Sequence, residues 1–260
     1  MGLNMKGHNM KFAIPTCAVA ALLAAAPVLA ADEPAAEAAD WTVTTNIGLT
    51  NAYFFRGLNF SDQRPAVQGG ADVAHSSGFY AGIWASNTDL DSFLGGPNVE
   101  IDLYGGFAKA IGPVTADVGV LQFIYPGANI ANTTELYAAG TWEWLNVKYS
   151  HTMTEYFGFA GTEGSGYVEG NVNYEFLPSW VLNLHAGHQR VADLSAASYS
   201  DFKFGVTKNL ASGWQVSLAG IAVDANDKSF LVKAAPIPGN PNVFESVMDL
   251  HYQVMVKRTF

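Results

Sequence analysis

The sequence predicts an all-β chain: a closed, antiparallel, up-and-down transmembrane β-barrel of about twelve strands. Three observations carry this. About twelve segments alternate apolar and polar residues with a period of two. The connections between them are short and long by turns, as in outer-membrane barrels with tight turns on one side and long loops on the other. The chain also opens with an export signal and closes on Val254-Met255-Val256-Lys257-Arg258-Thr259-Phe260, an alternating tail with a terminal aromatic.

At the N-terminus, Lys11 precedes a mainly apolar run from Phe12 to Ala26, with small residues at the exit, Val28-Leu29-Ala30. A charged start, an apolar stretch and such an exit make a signal peptide, residues 1–30, cleaved near Ala30. Pro15, Thr16 and Pro27 interrupt a run already short for a membrane span. Cys17 lies inside the signal, so the mature chain has no thiol for a disulfide or a metal site. Residues 31–40 (ADEPAAEAAD) are acidic, lack apolar periodicity and read as a disordered lead-in. Residues 41–260 read as one barrel domain.

Composition fits this class. Apolar residues make up 49% of the chain and charged ones 14%, yet no mature segment carries the ~20 apolar residues of a transmembrane helix. A barrel wall spreads its apolar residues over every second position. The formal charge of −10 becomes two units more negative when Lys6 and Lys11 leave with the signal. That balance argues against nucleic acid, whose phosphates require Lys and Arg.

In the first strand, Trp41, Val43, Ile47, Leu49, Tyr53 and Phe55 share one face, and Thr42, Thr44, Asn46, Gly48 and Thr50 the other. The second sets Val67, Ala71 and Val73 against Gln68, Gly70 and Asp72. The fourth sets Val99, Ile101, Leu103 and Phe107 against Glu100, Asp102 and Tyr104. The fifth sets Ala116, Val118, Val120 and Ile124 against Thr115, Asp117 and Gly119. The eighth opposes Val168, Val172, Tyr174 and Phe176 to Glu169, Asn171, Asn173 and Glu175. The last opposes Leu250, Tyr252, Val254, Val256 and Phe260 to Asp249, His251, Gln253 and Lys257. Less regular strands are expected near 79–87, 134–142, 145–152, 180–188, 199–208 and 214–224.

Between them, connections at 75–78, 109–113, 143–144, 177–179 and 209–213 are short and rich in turn residues. Those at 57–64, 88–97, 126–133, 153–166, 189–198 and 225–245 are long and polar. Six long and five short connections give twelve strands, with both ends on the periplasmic side. A soluble β-sandwich also alternates. It does not need aromatics at strand ends, where Trp41, Tyr53, Phe55, Phe79, Tyr80, Tyr125, Tyr149, Tyr174, Trp180, Trp214 and Phe260 cluster like interfacial girdles.

Asn51-Ala52-Tyr53-Phe54-Phe55-Arg56-Gly57, then Pro65-Ala66-Val67-Gln68-Gly69-Gly70, His75-Ser76-Ser77-Gly78-Phe79-Tyr80-Ala81-Gly82 and Trp84-Ala85-Ser86-Asn87 together resemble the TorF family of presumed porins. The pattern covers about the first third of the mature chain. The resemblance implies an outer-membrane porin-like barrel with no agreed substrate and no catalytic residues to carry over.

No zinc spacing, H-E-x-x-H, P-loop or dinucleotide fingerprint occurs, and no cofactor is expected. Gly161 to Gly166 reads as a loop tip. Asp224-Ala225-Asn226-Asp227 lacks the glycine and distal glutamate of a calcium loop, and Asp89 and Asp91 read as solvated. His75 sits in a turn, and His185 points inward. His151 and His188 fall near loop-side strand ends, where a Ser–His hydrolase site is an alternative. The inward face collects Arg56, Asp72, Glu100, Asp102, Asp117, Glu135, Lys148, Glu169, Glu175, Asp201, Lys203, Asp249, His251 and Lys257, expected to line a pore. Nine acids against four Lys and Arg predict a weak cation preference in a passive channel for small polar solutes or ions. Glu100, Asp102 and Asp117 are expected to form its most acidic patch. A non-conducting structural or adhesive barrel is the remaining alternative. Tyr252, Val254, Val256 and Phe260 are expected to be read by the barrel-assembly machinery. The other expected partners are outer-membrane lipid and lipopolysaccharide.

Overall fold

Alternation of apolar and polar side chains gives each strand one apolar and one polar face. The computed structural model builds that arrangement over the residues it describes, 40–90, 97–225 and 250–260. Among them, β1 (Trp41–Thr50) is followed by a short hairpin, β2 (Phe54–Phe55) and β3 (Leu58–Asn59). Then come β4 (Ala66–His75), β5 (Phe79–Asn87), β6 (Val99–Ile111), β7 (Val114–Ile124), β8 (Thr133–Trp142) and β9 (Leu145–Thr152). The last are β10 (Gly166–Leu177), β11 (Trp180–Arg190), β12 (Tyr199–Asn209), β13 (Trp214–Ala225) and β14 (His251–Thr259).

Apart from β2 and β3, these strands close a twelve-stranded antiparallel barrel in chain order. Strand β1 seals it by pairing with β4 from Trp41↔His75 to Thr50↔Ala66 and with β14 from Asn46↔Thr259 to Thr50↔Met255. Two expected strands, 79–87 and 145–152, match β5 and β9, and the others differ at their ends by a few residues. The signal and lead-in through residue 39, and Asp91, Asn226, Asp227 and Asp249, lie outside the described residues.

Exposure separates the faces. On β7, Val118 and Val120 are 54% and 41% exposed, whereas Asp117 between strands β6 and β8 is 6% exposed. The first pair therefore faces lipid and Asp117 the interior. Trp41, Phe79, Trp142, Trp180, Trp214 and Phe260 stand outward at the short-turn end, the place of an interfacial girdle.

The inner wall has its own packing device. Four interior tyrosines lie across glycines of a neighbouring strand: Tyr80 over Gly106, Tyr104 over Gly82, Tyr137 over Gly119 and Tyr167 over Gly187. A Cβ at any of these glycines would collide with the ring. The bare backbone lets each ring lie against the wall and aim its hydroxyl sideways, which places the polar groups described next.

The reading of β1 needs correction. The strand ends at Thr50, and Tyr53 and Phe55 do not continue its lipid face. Residues 52–61 turn into the barrel, where Tyr53 is 1% exposed. Tyr125 is also fully buried, and Tyr80 faces inward, so four of the aromatics assigned to girdles serve the interior instead. Tyr53 packs on Trp84, Phe55 on Phe123 and Tyr125 on Phe157, while Tyr80 has the inward parity of β5.

Candidate functional site

The hairpin β2–β3 is the centre of the interior. Its two-residue turn, Arg56-Gly57, has φ of 46° and 79°, the left-handed pair that a tight hairpin turn requires. Phe54 pairs with Asn59 and Phe55 with Leu58. The hairpin leaves the wall between β1 and β4 and reaches far across. A Cβ on Gly57 would meet Asp201 of β12 and Val223 of β13 at 2.6 Å, so only glycine allows this approach. Arg56 reaches β8, where its two terminal nitrogens donate to Glu135 at 2.6 and 2.9 Å, and it donates to Gln189 of β11 at 3.0 Å. The guanidinium also lies over Tyr167 at 4.2 Å and Phe55 at 4.8 Å. Burial works against its charge, but Glu135 outweighs burial and holds the guanidinium above its ordinary pKa.

Around the hairpin the loop end of the barrel is packed with rings. Phe55 touches Phe60 and Phe123 at 5.3 Å between centroids, and Phe157 touches Phe123 and Tyr125 at 5.4 and 5.9 Å. Phe157 belongs to a turn in the β9–β10 connection, which folds inward and is fixed by a bond from its N–H to the Thr133 hydroxyl at 2.9 Å. The long-loop end is therefore narrowed by protein.

Below the rings, the wall carboxylates are held by tyrosine hydroxyls. Tyr53 and Tyr125 donate to the two oxygens of Glu100, each at 2.6 Å. Tyr104 donates to Asp72, and Tyr80, in contact with the Tyr137 hydroxyl, donates to Asp117 at 2.7 Å. Tyr167 donates to Asp201 at 2.8 Å, and the His185 ring meets the other Asp201 oxygen at 2.6 Å and Asn171 at 2.7 Å. Asn171 donates to Glu169 at 3.0 Å. Lys148 stands over the Tyr137 ring at 4.5 Å. Asp102 differs: it is 5% exposed, and its Oδ1 has no hydrogen-bond partner. Leaving such an oxygen unpaired costs about 1–3 kcal/mol.

The predicted residues fall as follows. Asp72, Glu100, Asp102, Asp117, Glu135, Lys148, Glu169, Asp201, Lys203, His251 and Lys257 occupy inward positions of barrel strands. Glu175 shares that parity but sits at the turn end, exposed, accepting from the Ser179 N–H at 2.7 Å. Arg56 is inside as well, carried by the hairpin and not by a wall strand. In the expected patch, Glu100 and Asp117 accept from tyrosine hydroxyls. Tyr53, Tyr125, Tyr167 and Gln189 were missed. The one legible trace of the hairpin is Arg56-Gly57 between Phe54-Phe55 and Leu58-Asn59, a two-residue turn signal inside an otherwise strand-like run.

On the outer face, Tyr252, Val254, Val256 and Phe260 share one exposed side of β14 and the chain end. His188 and Ser200, on adjacent strands, are joined at 3.0 Å between Nδ1 and Oγ. Asp224 pairs in register with Ser200 on the side away from His188. His151 contacts the Tyr149 hydroxyl at 3.2 Å. Asp89 is ion-paired with Arg64.

Known proteins place the architecture. The solved KdgM porin matches with a TM-score of 0.53 at 9% identity, over 84% of this chain and 99% of that one. A second structure, the KdgM porin in complex with disordered oligogalacturonate, gives 0.52 at 9% identity over the same shares. The NanC porin gives 0.52 at 10% identity, again over 84% and 99%. At such identity the likeness is one of fold, and it agrees with the closed twelve-stranded barrel. Curated protein sequences return no match. These findings support a porin-like barrel and leave the TorF name without support of its own. A family model described as a bacterial protein of unknown function (Gcw_chp) matches residues 34–260, the whole barrel and most of its lead-in, and the chain belongs to that family.

Proposed function

We propose that this chain is an outer-membrane channel for passive diffusion of small polar solutes or ions, narrow at its loop end and weakly cation-preferring. The observation that carries it is the inner wall: carboxylates, amides and tyrosine hydroxyls line a closed barrel whose outer face is apolar. Outer-membrane barrels with a water-filled channel have polar interiors of this kind. Among the described residues, eight acids of the predicted lining stand against Arg56, Lys148, Lys203 and Lys257. That excess favours cations. Solute passage requires the β2–β3 hairpin to shift from its seat. The resemblance of residues 51–87 to the TorF family belongs to this reading, as do export through the residue 1–30 signal, insertion by the barrel-assembly machinery and contact with lipopolysaccharide. Liposome swelling with sugars of graded size tests it. Swelling with the smallest solutes alone is expected, and vesicles that never swell and pass no ions count against a channel.

A second reading, an outer-membrane hydrolase, rests on the His188–Ser200 bond at the outer face. Ser200→Ala should abolish any phospholipid hydrolysis by the purified protein. Absence of activity in the parent removes this reading.

A further inference from the structure

Among the described wall carboxylates, Glu100, Asp72, Asp117 and Asp201 each accept from a tyrosine hydroxyl, and Glu135 is clamped by Arg56. Asp102 is the exception, buried and with an Oδ1 that no protein group meets. Its surroundings are asymmetric. The in-register inward neighbours are Trp84 on β5 and Phe123 on β7, both buried. Ring faces carry negative potential and attract cations. The orphan oxygen and these two buried aromatic residues are therefore register neighbours on the inner wall.

We infer that Asp102 is a cation-binding position on the conduction path, taking a small, partly dehydrated monovalent cation. The inference rests on the channel reading above and names the residue that sets its selectivity. A divalent ion does not fit, because calcium takes six to eight oxygen ligands. The neighbouring carboxylates already have partners, and no metal-holding group of three acids or histidines occurs among the described residues. One free carboxylate oxygen between aromatic rings suits a singly charged ion with a loosely held water shell.

The test uses the full mature protein. Reversal potentials in a KCl gradient are compared for the parent, Asp102→Asn, Glu100→Gln and Asp117→Asn. The cation-to-anion permeability ratio should drop about fivefold in Asp102→Asn, the Boltzmann factor of one unit charge at ~4 Å in water. Glu100→Gln and Asp117→Asn also remove lining acids but ones already held by tyrosines, so each should lower the ratio less than Asp102→Asn, and an equal or larger drop in either overturns the assignment to Asp102. An unchanged ratio in Asp102→Asn overturns the inference. Thallium(I) quenching of Trp84 emission, isolated by subtracting a Trp84→Phe variant and competed with potassium, reads the site without conduction. Quenching lost in Asp102→Asn supports the site even if the barrel passes no current, in which case the channel reading alone fails. Quenching that persists in Asp102→Asn overturns the site.

Discussion

Arg56→Ala separates a seated hairpin from a free one. In the parent, the guanidinium gives Glu135 two charge-assisted bonds at 2.6 and 2.9 Å, and both groups are almost fully buried. Removing Arg56 strands the Glu135 carboxylate in that setting. Breaking one partner of a buried pair costs about 3–5 kcal/mol, which lowers the ratio of seated to withdrawn hairpin at least ~10²-fold. The rings of Tyr53, Phe54 and Phe55 still favour the seated state, so withdrawal should be frequent and not permanent. In single-channel recordings, Arg56→Ala should show longer or larger openings than the parent. Glu135→Gln should show a smaller change, because its amide oxygen still accepts from Arg56. The pair Arg56→Met with Glu135→Leu should return toward parental behaviour, since well-packed apolar side chains replace a buried ion pair at little cost. Traces of Arg56→Ala that match the parent would refute the assignment of the hairpin as the constriction.

Three further outcomes are expected. Gly119→Ala should destabilise the barrel by about 1–3 kcal/mol through overpacking, because its Cβ would collide with the Tyr137 ring; urea unfolding in vesicles measures it, and Gly170→Ala, where nothing lies within 4 Å, is the control. Val120→Arg on the lipid face should cost about 2–4 kcal/mol near mid-membrane, so parental stability would place that position elsewhere. Deleting Phe260 should leave the protein in the periplasm or degraded, and normal surface yield would show that the exposed tail of β14 is not read during assembly.

The wall was legible because its physics is local. A period of two, with lipid on one side and polar groups on the other, shows in each strand alone, so Val118, Val120 and Asp117 were assigned to the correct faces from sequence. The hairpin was not legible for the same reason. Leu49, Tyr53 and Phe55 keep the parity of β1, and an aromatic that faces lipid has the same pattern as one that faces a plug. What distinguishes them is contact with Phe123, Phe157 and Trp84, remote in the chain. The satisfaction of Glu100 likewise depends on Tyr53 and Tyr125, 47 and 25 residues away. Parity could therefore gather the inward acids, but only the folded interior separates Asp102 from those already partnered. The Arg56-Gly57 turn was visible as residues, and its meaning followed only when both φ values proved positive.

A polar, acid-rich interior that passes small ions has a direct electrical signature. Purified mature protein inserted into a planar bilayer, with a KCl gradient across it, measures that directly. The account predicts small unitary currents with a reversal potential on the cation-selective side, strongest at low salt where fixed charge is least screened. A bilayer that stays silent with correctly folded protein, or an anion-selective current, would contradict it.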